Sequence, residues 1–245
     1  MKLITRSRKE SIACESLALT LVLAESSIEL VPNEIAGHRA ILSSAERKKK
    51  DPGRLILDRS YHHSAILRLR GSGVGRGRPD IAHFSLLVAL GSPLNAEHQL
   101  RCLVHTRDDY VITIDPSARL PRNTDRFTSL LEQLYEESRI PSRGSPLMSL
   151  KQETLPNLLN EISSDNVVAL TTQGSPKPME IIADDLEKTR RPVVLVGGFP
   201  WGHFSSQTID ASSATYRIDR RRLEAWTVVG RAIYDYERAI GLKRF

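Results

Sequence analysis

The sequence contains little cysteine and no long apolar run. Its 245 residues include two cysteines, Cys14 and Cys102, which form no Cys-x-x-Cys motif. We therefore expect neither a disulfide scaffold nor a zinc ribbon, and we interpret both cysteines as structural. No apolar run reaches the roughly 18 residues that cross a bilayer, and no signal peptide follows the charged amino terminus. These absences favour a cytoplasmic protein with no membrane partner.

The spacing of the histidines and the net charge of the chain exclude some functions but do not identify one. His98 and His105 have no carboxylate spaced to complete a zinc site, so no bound metal is expected. Lys and Arg total 35 against 29 Asp and Glu, a formal net charge of +6. That charge suits a nucleic-acid partner but also occurs in proteins that bind none. The positions of the arginines therefore carry more information than their number.

The pattern of apolar residues predicts alternating strands and helices. The 40% apolar share excludes wholesale disorder and fits one large domain or two small ones. Short apolar runs predict strands over 16–24, 55–57, 101–106, 110–114, 166–170 and 192–196. Apolar stripes with start and stop signals predict helices over 81–90, 124–138 and 223–240. This order is typical of an α/β fold with a mostly parallel sheet flanked by helices, and 138–150 is predicted to be a loop between two halves.

A first cationic segment covers residues 68–80 and reads RLRGSGVGRGRPD. Its arginines are Arg68, Arg70, Arg76 and Arg78, and glycines alternate with them at 71, 73, 75 and 77. Arginine offers a rigid donor fork to phosphate, and glycine lets the backbone approach a ligand closely. The alternative is a flexible, solvated loop.

A second cationic cluster precedes the helix predicted at 124–138. Arg119, Arg122 and Arg126 lie at or before the helix start, where the macrodipole disfavours cations but free N–H groups can bind phosphate. A bound polyanion would resolve this conflict. The alternative is an ion-pair network with acidic residues of the same helix, namely Asp125, Glu132 and Glu136.

Glycine-bearing turns follow the two last predicted strands. Thr171-Thr172-Gln173-Gly174 follows one, and Gly197-Gly198-Phe199-Pro200 follows the other. Ligands of α/β proteins bind at the carboxyl ends of parallel strands. The two turns are therefore candidates for a ligand site, and the alternative is that they are tight turns with no ligand.

Seven segments in the same order resemble the EMG/NEP family of ribosome-biogenesis proteins, and the resemblance extends from about residue 15 to 237. The segments are LVLAESSIELVP, LDRSYHHSAIL, GRPDIAHFSLLVALGSPL, VHTRDDYVITI, ARLPRNTDRFTSLLEQLY, VVLVGGFPWGHF and LEAWTVVGRAIYDYE. The lack of a long acidic or lysine-rich tail resembles the archaeal branch.

The resemblance implies a SPOUT-class methyltransferase with a carboxyl-terminal deep trefoil knot, an exception to the rule against knotted chains. It implies one domain over 1–245, with a family-specific insertion around 60–80. The implied activity is methylation of N(1) of a pseudouridine in small-subunit rRNA, with S-adenosylmethionine as cofactor and a role in small-subunit biogenesis. The implied partners are a second copy of the chain, small-subunit rRNA and small-subunit ribosomal proteins. The alternative is a non-catalytic RNA-binding assembly factor.

The resemblance also implies residue roles. Arg78 contacts the substrate nucleotide, and Asp80 orients Arg78 and is a candidate base, although a carboxylate held by an arginine is a poor one. Arg119, Arg122 and Arg126 contact rRNA, and Trp226 belongs to the dimer contact. The cofactor is held by three loops, represented here by Leu170, Thr171, Gly197, Gly202, Ile218, Asp219, Arg220, Arg221, Arg222 and Leu223.

Two loops depart from the family pattern. The second cofactor loop usually reads GFPHG, and here Trp201 replaces the histidine. The third is usually rich in tyrosine and proline before LEAW, and here it reads Asp219-Arg220-Arg221-Arg222. The resemblance therefore does not fix the shape of the pocket at these two loops.

Overall fold

A computed structural model describes residues 19–69 and 75–242, in which one eight-stranded sheet carries helices on both faces. Cys14, Arg70, Gly71 and Gly73 lie outside the described residues. The strands are β1 Leu19–Ser26, β2 Leu100–Thr106, β3 Tyr110–Ile114, β4 Arg139–Ile140, β5 Met148–Gln152, β6 Val167–Pro176, β7 Val193–Gly197 and β8 Ala214–Arg217. The helices are α1 Arg39–Lys48, α2 Arg59–Ile66, α3 Pro79–Leu90, α4 Pro93–Ala96, α5 Thr124–Glu137, α6 Leu155–Ile162, α7 Met179–Glu187, α8 Ser206–Asp210 and α9 Ala225–Ala239.

The sheet is mostly parallel, as predicted. Its strand order is β4-β5-β3-β2-β1-β7-β6-β8. The run from β2 to β8 is parallel throughout, and β3, β5 and β4 join antiparallel at one edge. The carboxyl ends of β6, β7 and β8 therefore meet at the same end of the sheet.

The central strand β1 is buried on both faces, which explains its nearly uniform apolar sequence. Leu21 and Leu23 pack into a core shared with α3, α5, α7 and α9. Val22 and Ala24 face the opposite side, where α6 and Phe204 complete a second core. Helices thus cover both faces, as parallel strands require.

Two predicted segments differ from the structure. Residues 55–57 do not form a strand: Leu55 and Leu57 are buried in a small separate core with α1 and α2, and Ile56 forms a single bridge with Leu30. Three consecutive apolar residues can be buried without pairing in a sheet, so the prediction of a strand from this short apolar run is wrong. The segment 138–150 is not loop throughout, because it holds β4 and the start of β5.

The three principal predicted helices are confirmed within two residues. The Asn123 side chain caps α5 by accepting a hydrogen bond from the Arg126 N–H at 3.1 Å. α9 begins later than predicted because Glu224 is extended. No helix of the described chain is long and apolar enough to cross a membrane. The knot and the single-domain boundaries stay predictions.

Cys102 is a buried, free thiol on β2. Burial raises its pKa to about 12, so it carries no thiolate at neutral pH and packs as a small apolar side chain. This environment agrees with a structural interpretation of Cys102.

Candidate functional site

The interruption within β6 and the turns that follow β7 and β8 enclose a cavity of about 330 Å³. Nine of the ten residues expected to hold a cofactor lie on its wall. They are Leu170, Thr171, Gly197, Gly202, Ile218, Asp219, Arg221, Arg222 and Leu223. The tenth, Arg220, is exposed and does not belong to the wall. Both glycine-bearing turns therefore face a cavity rather than closing on themselves.

The turn after the first part of β6 is a break in the sheet ladder. Leu170 and Ser175 both pair with Tyr216 of β8, so the four residues between them leave the ladder. A Cβ on Gly174 would lie 2.5 Å from the Tyr216 backbone nitrogen, which only glycine avoids. The close approach at Gly174 lets the strand return to β8 while Thr171 turns toward the cavity.

The turn after β7 is fixed by the end of β1. The Gly198 N–H donates to the Ala24 carbonyl, and the Ser27 N–H donates to the Gly198 carbonyl, each at 2.9 Å. A Cβ on Gly198 would lie 2.0 Å from Ser26 Oγ and 2.8 Å from Ser26 Cα. Glycine is therefore required here by contact with the neighbouring backbone.

The far end of the same turn is also held by β1. Glu25 Oε1 accepts hydrogen bonds from the Ser205 N–H at 2.9 Å and from the Ser205 hydroxyl at 2.7 Å. The Thr208 hydroxyl donates to the same oxygen. Gly202, between these anchors, has a φ of +99°, a left-handed conformation that glycine adopts readily. The β7 turn is thus anchored at both ends.

The turn after β8 is stabilised by its own charges. The Asp219 carboxylate accepts from the Arg221 backbone N–H at 2.9 Å, from Arg221 Nε at 3.2 Å and from Arg231 Nη1 at 3.3 Å. The Arg221 backbone N–H, followed by its guanidinium, lowers the pKa of Asp219 to about 2. Asp219 is therefore ionised at neutral pH and shapes the turn rather than exchanging a proton.

The two departures from the family pattern contact each other. The Arg222 guanidinium carbon lies 4.8 Å from the centre of the Trp201 ring, and Arg222 Nη2 donates to the Pro200 carbonyl. These contacts join the β7 turn to the β8 turn at the cavity wall. The substituted residues in the two loops therefore form one structural unit.

Arg78 lies on the cavity wall at the start of α3. Its Nε and Nη2 donate to the two carboxylate oxygens of Asp80, both at 2.7 Å, and its backbone N–H donates to the Ser27 carbonyl at 3.0 Å. Hydrogen bonding to Asp80 raises the pKa of Arg78. Asp80 itself does not line the cavity. The pair thus presents a fixed cation to the cavity, with Asp80 behind it.

Arg76, although close in sequence, has a different environment. Its Nε donates to both carboxylate oxygens of the buried Glu29 at 3.0 Å. A buried carboxylate needs such a partner, so Arg76 is engaged inside the protein and is not presented to a phosphate. The prediction that grouped Arg76 with the phosphate-facing arginines is wrong for this residue.

The glycines of this segment also serve packing. Gly77 has a φ of +65°, and an added Cβ would lie 3.1 Å from the Ile66 side chain and 3.2 Å from the Arg59 backbone nitrogen. The Arg59 N–H donates to the Gly77 carbonyl at 2.8 Å. Residues 75–78 are therefore held by neighbours, unlike the solvated loop that was the alternative.

Arg119, Arg122 and Arg126 are exposed, and none of their side chains forms an ion pair with another described residue. The acids proposed to neutralise them have other partners. Asp125 accepts from the Tyr61 hydroxyl at 2.9 Å, the buried Glu132 pairs with Lys48 and Lys50, and Glu136 pairs with Lys50. The alternative of an internal network is therefore wrong, and three cations are left facing solvent.

His83 connects this arginine segment to α3. The buried imidazole stacks on Phe127 with ring centres 4.4 Å apart, and its Nε2 lies 2.6 Å from the Pro121 carbonyl oxygen. Burial lowers the pKa of His83, so the ring is neutral at pH 7 and Nε2 carries the proton that it donates. α3 thus positions Arg78 at its start and the 119–126 segment along its side.

Several wall residues were not predicted. Turn chemistry identified which loops meet, but not which side chains of those loops point inward. β8 was not predicted as a strand because its four residues are all half-buried and show no apolar alternation. Thr172 and Phe199 lie in the two predicted turns but were not assigned individually to the wall. Ile81, Glu224 and Val228 were not predicted as wall residues. Among the described residues, no three histidine, cysteine, aspartate or glutamate side chains are grouped as metal ligands would be.

The chain is similar to a family of methyltransferases along most of its length. A family model described as EMG1/NEP1 methyltransferase matches residues 21–237. The protein named ribosomal RNA small subunit methyltransferase Nep1 from Pyrococcus furiosus is 45% identical over 219 residues, which cover 89% of this chain and 96% of that protein. Its namesake from Thermococcus kodakarensis is 42% identical, with 91% and 100% covered.

A solved structure has the same fold. Archaeoglobus fulgidus Nep1, in a crystal structure with bound S-adenosylhomocysteine, is 31% identical and superposes with a TM-score of 0.80. The match covers 92% of this chain and 99% of that one. The similarity therefore extends over most of both chains.

Proposed function

Because this chain belongs to the EMG1/NEP1 methyltransferase family, we propose that it methylates N(1) of a pseudouridine in small-subunit rRNA, with S-adenosylmethionine as methyl donor. Family membership supports methyl transfer, and the names of the relatives support an rRNA substrate. The observation that carries the proposal is a cavity at the strand ends with Arg78 on its wall, beside a helix that also supports three solvent-facing arginines.

The cavity suits a nucleoside with a short charged side chain. Its volume of about 330 Å³ falls within the range of small-molecule sites. Leu170, Val196 and Ile218 supply apolar wall for a purine base, and Gly197 and Gly202 also line the cavity. We assign these turns to binding S-adenosylmethionine, which supplies, when bound, a methyl group on a positively charged sulfur.

The choice of base follows from covalent chemistry. In pseudouridine the sugar is attached through carbon, so N(1) carries a proton that can be replaced by a methyl group. In uridine the same nitrogen forms the glycosidic bond and cannot accept one. The reaction therefore consumes the product of an earlier isomerisation. Holding N(1) in line with the methyl carbon supplies most of the rate enhancement, as an effective molarity.

Asp80 orients Arg78 in this mechanism. Both of its oxygens accept hydrogen bonds from the guanidinium at 2.7 Å, and the carboxylate lies off the cavity wall. Asp80 thus holds the Arg78 guanidinium at the cavity wall, and the N(1) proton is released to solvent water as the methyl group is transferred. The target base has to leave its stack at a cost of a few kcal/mol, and phosphate contacts from the arginines offset that cost.

The arginine surface supports RNA binding. Arg119, Arg122 and Arg126 are exposed cations with no acidic partner among the described residues. Such side chains bind phosphates and displace counterions, which makes affinity depend on salt. His83 of α3 contacts both Pro121 and Phe127. The arginine segment therefore lies against the helix that begins next to Arg78, and all four arginines can engage one RNA.

A homodimer is the quaternary structure that we propose. Phe84 and Val88 of α3 are 40% and 39% exposed, and Tyr234 of α9 is 49% exposed. The two helices pack against each other, and Phe84 contacts the half-buried Trp226 edge to face at 5.4 Å. An apolar strip on adjacent helices suits the matching strip of a second copy. Contacts with small-subunit ribosomal proteins stay a prediction.

The base specificity predicts an all-or-none difference between two RNAs. Hairpins that are identical except for pseudouridine or uridine at one loop position are incubated with the protein and methyl-labelled S-adenosylmethionine. We expect label in the pseudouridine hairpin and only background in its uridine twin. Equal labelling of both hairpins would contradict the proposed specificity. RNA binding without label in either one would favour a non-catalytic assembly factor.

The arginine surface predicts a change in salt dependence. Arg122→Ala should weaken hairpin binding and make the slope of log affinity against log salt shallower by about 0.7 to 0.9, the loss of one phosphate contact. Arg190→Ala is the matched control, because it removes an exposed arginine at the amino-terminal end of β7, away from the cavity. An unchanged slope for Arg122→Ala would remove this residue from the RNA surface.

The same titration tests Asp80. Asp80→Asn removes the charge that holds Arg78, so hairpin affinity and methyl transfer should fall together. Loss of transfer at unchanged RNA affinity would instead give Asp80 a chemical role.

The apolar strip predicts the oligomeric state. In sedimentation velocity at micromolar concentration, the protein should have twice the mass of one chain, and Val88→Glu should shift it to the monomer because a charge is buried in the contact. Leu42→Glu, which changes an exposed apolar residue of α1, serves as the control and should stay dimeric. A monomeric unmodified protein, or a dimeric Val88→Glu variant, would rule out this interface.

A further inference from the structure

Trp201 is an exposed aromatic residue at the wall of the cavity. Its side chain is 65% exposed, although large apolar surface is normally buried. The Arg222 guanidinium lies 4.8 Å from the ring centre and is tied to the Pro200 carbonyl. One face of the indole is therefore covered by a fixed cation, and the other is available to a ligand.

Trp201 lies beside the proposed substrate site and not in the protein core. Arg78 lies on the same cavity wall. A Cβ on Gly75 would lie 3.8 Å from the Trp201 carbonyl oxygen, so the loop that leads to Arg78 passes beside the β7 turn. Arg78 and Trp201 therefore border the same cavity, which a nucleotide held by Arg78 would enter.

Unpaired RNA bases bind to aromatic rings and guanidinium planes by stacking, and this contact tolerates any base. An indole held in place by Arg222 loses little conformational freedom when a base stacks on it. The pair thus has the shape and the charge of a base-stacking platform.

We propose that Trp201, backed by Arg222, stacks on an unpaired rRNA base next to the methylated nucleotide. This inference rests on the proposed RNA methylation and names a contact that discriminates single-stranded loops from duplex. The alternative is that the same ring contacts the purine of the methyl donor. The exposure of Trp201 favours RNA, because a side chain that packs on a ligand inside the cavity would itself lie mostly inside the cavity. Leu170 and Val196 already form an apolar wall there.

The first test separates stacking from ionic contact. Trp201→Ala should weaken hairpin binding about ten-fold while the salt slope stays that of the unmodified protein, since no phosphate contact is lost. Trp201→Phe keeps a ring and should retain most of the affinity. Leu147→Ala, which removes an exposed apolar side chain at the opposite edge of the sheet, is the control. Affinity for S-adenosylhomocysteine, measured by calorimetry, should fall less than hairpin affinity in Trp201→Ala and should not change in Leu147→Ala.

The second test locates the base. A series of pseudouridine hairpins is made in which each loop nucleotide in turn lacks its base. Loss of the base at one loop position should weaken binding of the unmodified protein about ten-fold. Loss of that same base should barely change the binding of Trp201→Ala. Such a coupling is the signature of direct stacking, and a general loss of folding would not produce it.

The outcomes separate this inference from the proposed function. If the unmodified protein methylates the hairpin and Trp201→Ala binds it equally well, only the stacking platform is overturned. If Trp201→Ala instead loses S-adenosylhomocysteine and keeps RNA, the ring belongs to the methyl-donor site and the inference is again overturned. An unmodified protein that neither binds nor methylates the hairpin overturns both.

Discussion

The cavity depends on the short segment Glu25–Glu29, which contains the end of the central strand β1 and the residues just after it. Glu25 anchors Ser205, the backbone around Ser27 anchors Gly198 and Arg78, and Glu29 anchors Arg76. Five residues thus set the positions of the β7 turn and of the loop that carries Arg78. Two of these anchors are carboxylates, and Glu29 is buried, so losing its guanidinium partner would leave a buried charge and cost several kcal/mol. The site is therefore built around the end of one strand, and its geometry follows from that strand's place in the middle of the sheet.

Much of the sheet could be predicted from the sequence because burial on two faces leaves a strong signal. The runs now seen as β1, β2, β3, β6 and β7 are apolar and end at turn residues. The failures share a cause: 55–57 and β8 are too short for a pattern to distinguish a ladder from simple burial. Which loops would meet was predictable from strand ends, but the inward side chains, such as Phe199 and Tyr216, depend on turn geometry that the sequence does not encode locally.

The arginines show why residue type alone cannot assign a role. Arg76 and Arg78 lie two positions apart in the same segment, yet one neutralises a buried glutamate and the other faces the cavity. The difference comes from Glu29, which is 47 residues before Arg76 and is brought beside it only by the fold. In the same way, the arginines at 119–126 have no acidic partner within 19–69 and 75–242. Glu132 pairs instead with Lys48 and Lys50, which come from a distant helix and its C-terminal turn. The contact between Trp201 and Arg222 is likewise created by the fold, and neither residue type alone indicates it.

We propose above all that the interruption within β6 and the turns after β7 and β8 bind a sulfur-linked adenosine compound. Isothermal calorimetry of the full chain with S-adenosylhomocysteine tests it most directly. The account predicts one site per chain, retained in Gly37→Ala, where an added Cβ has nothing within 4 Å, and lost in Gly198→Ala, where it would lie 2.0 Å from Ser26 Oγ. Absence of binding by the unmodified protein at millimolar ligand would contradict the account.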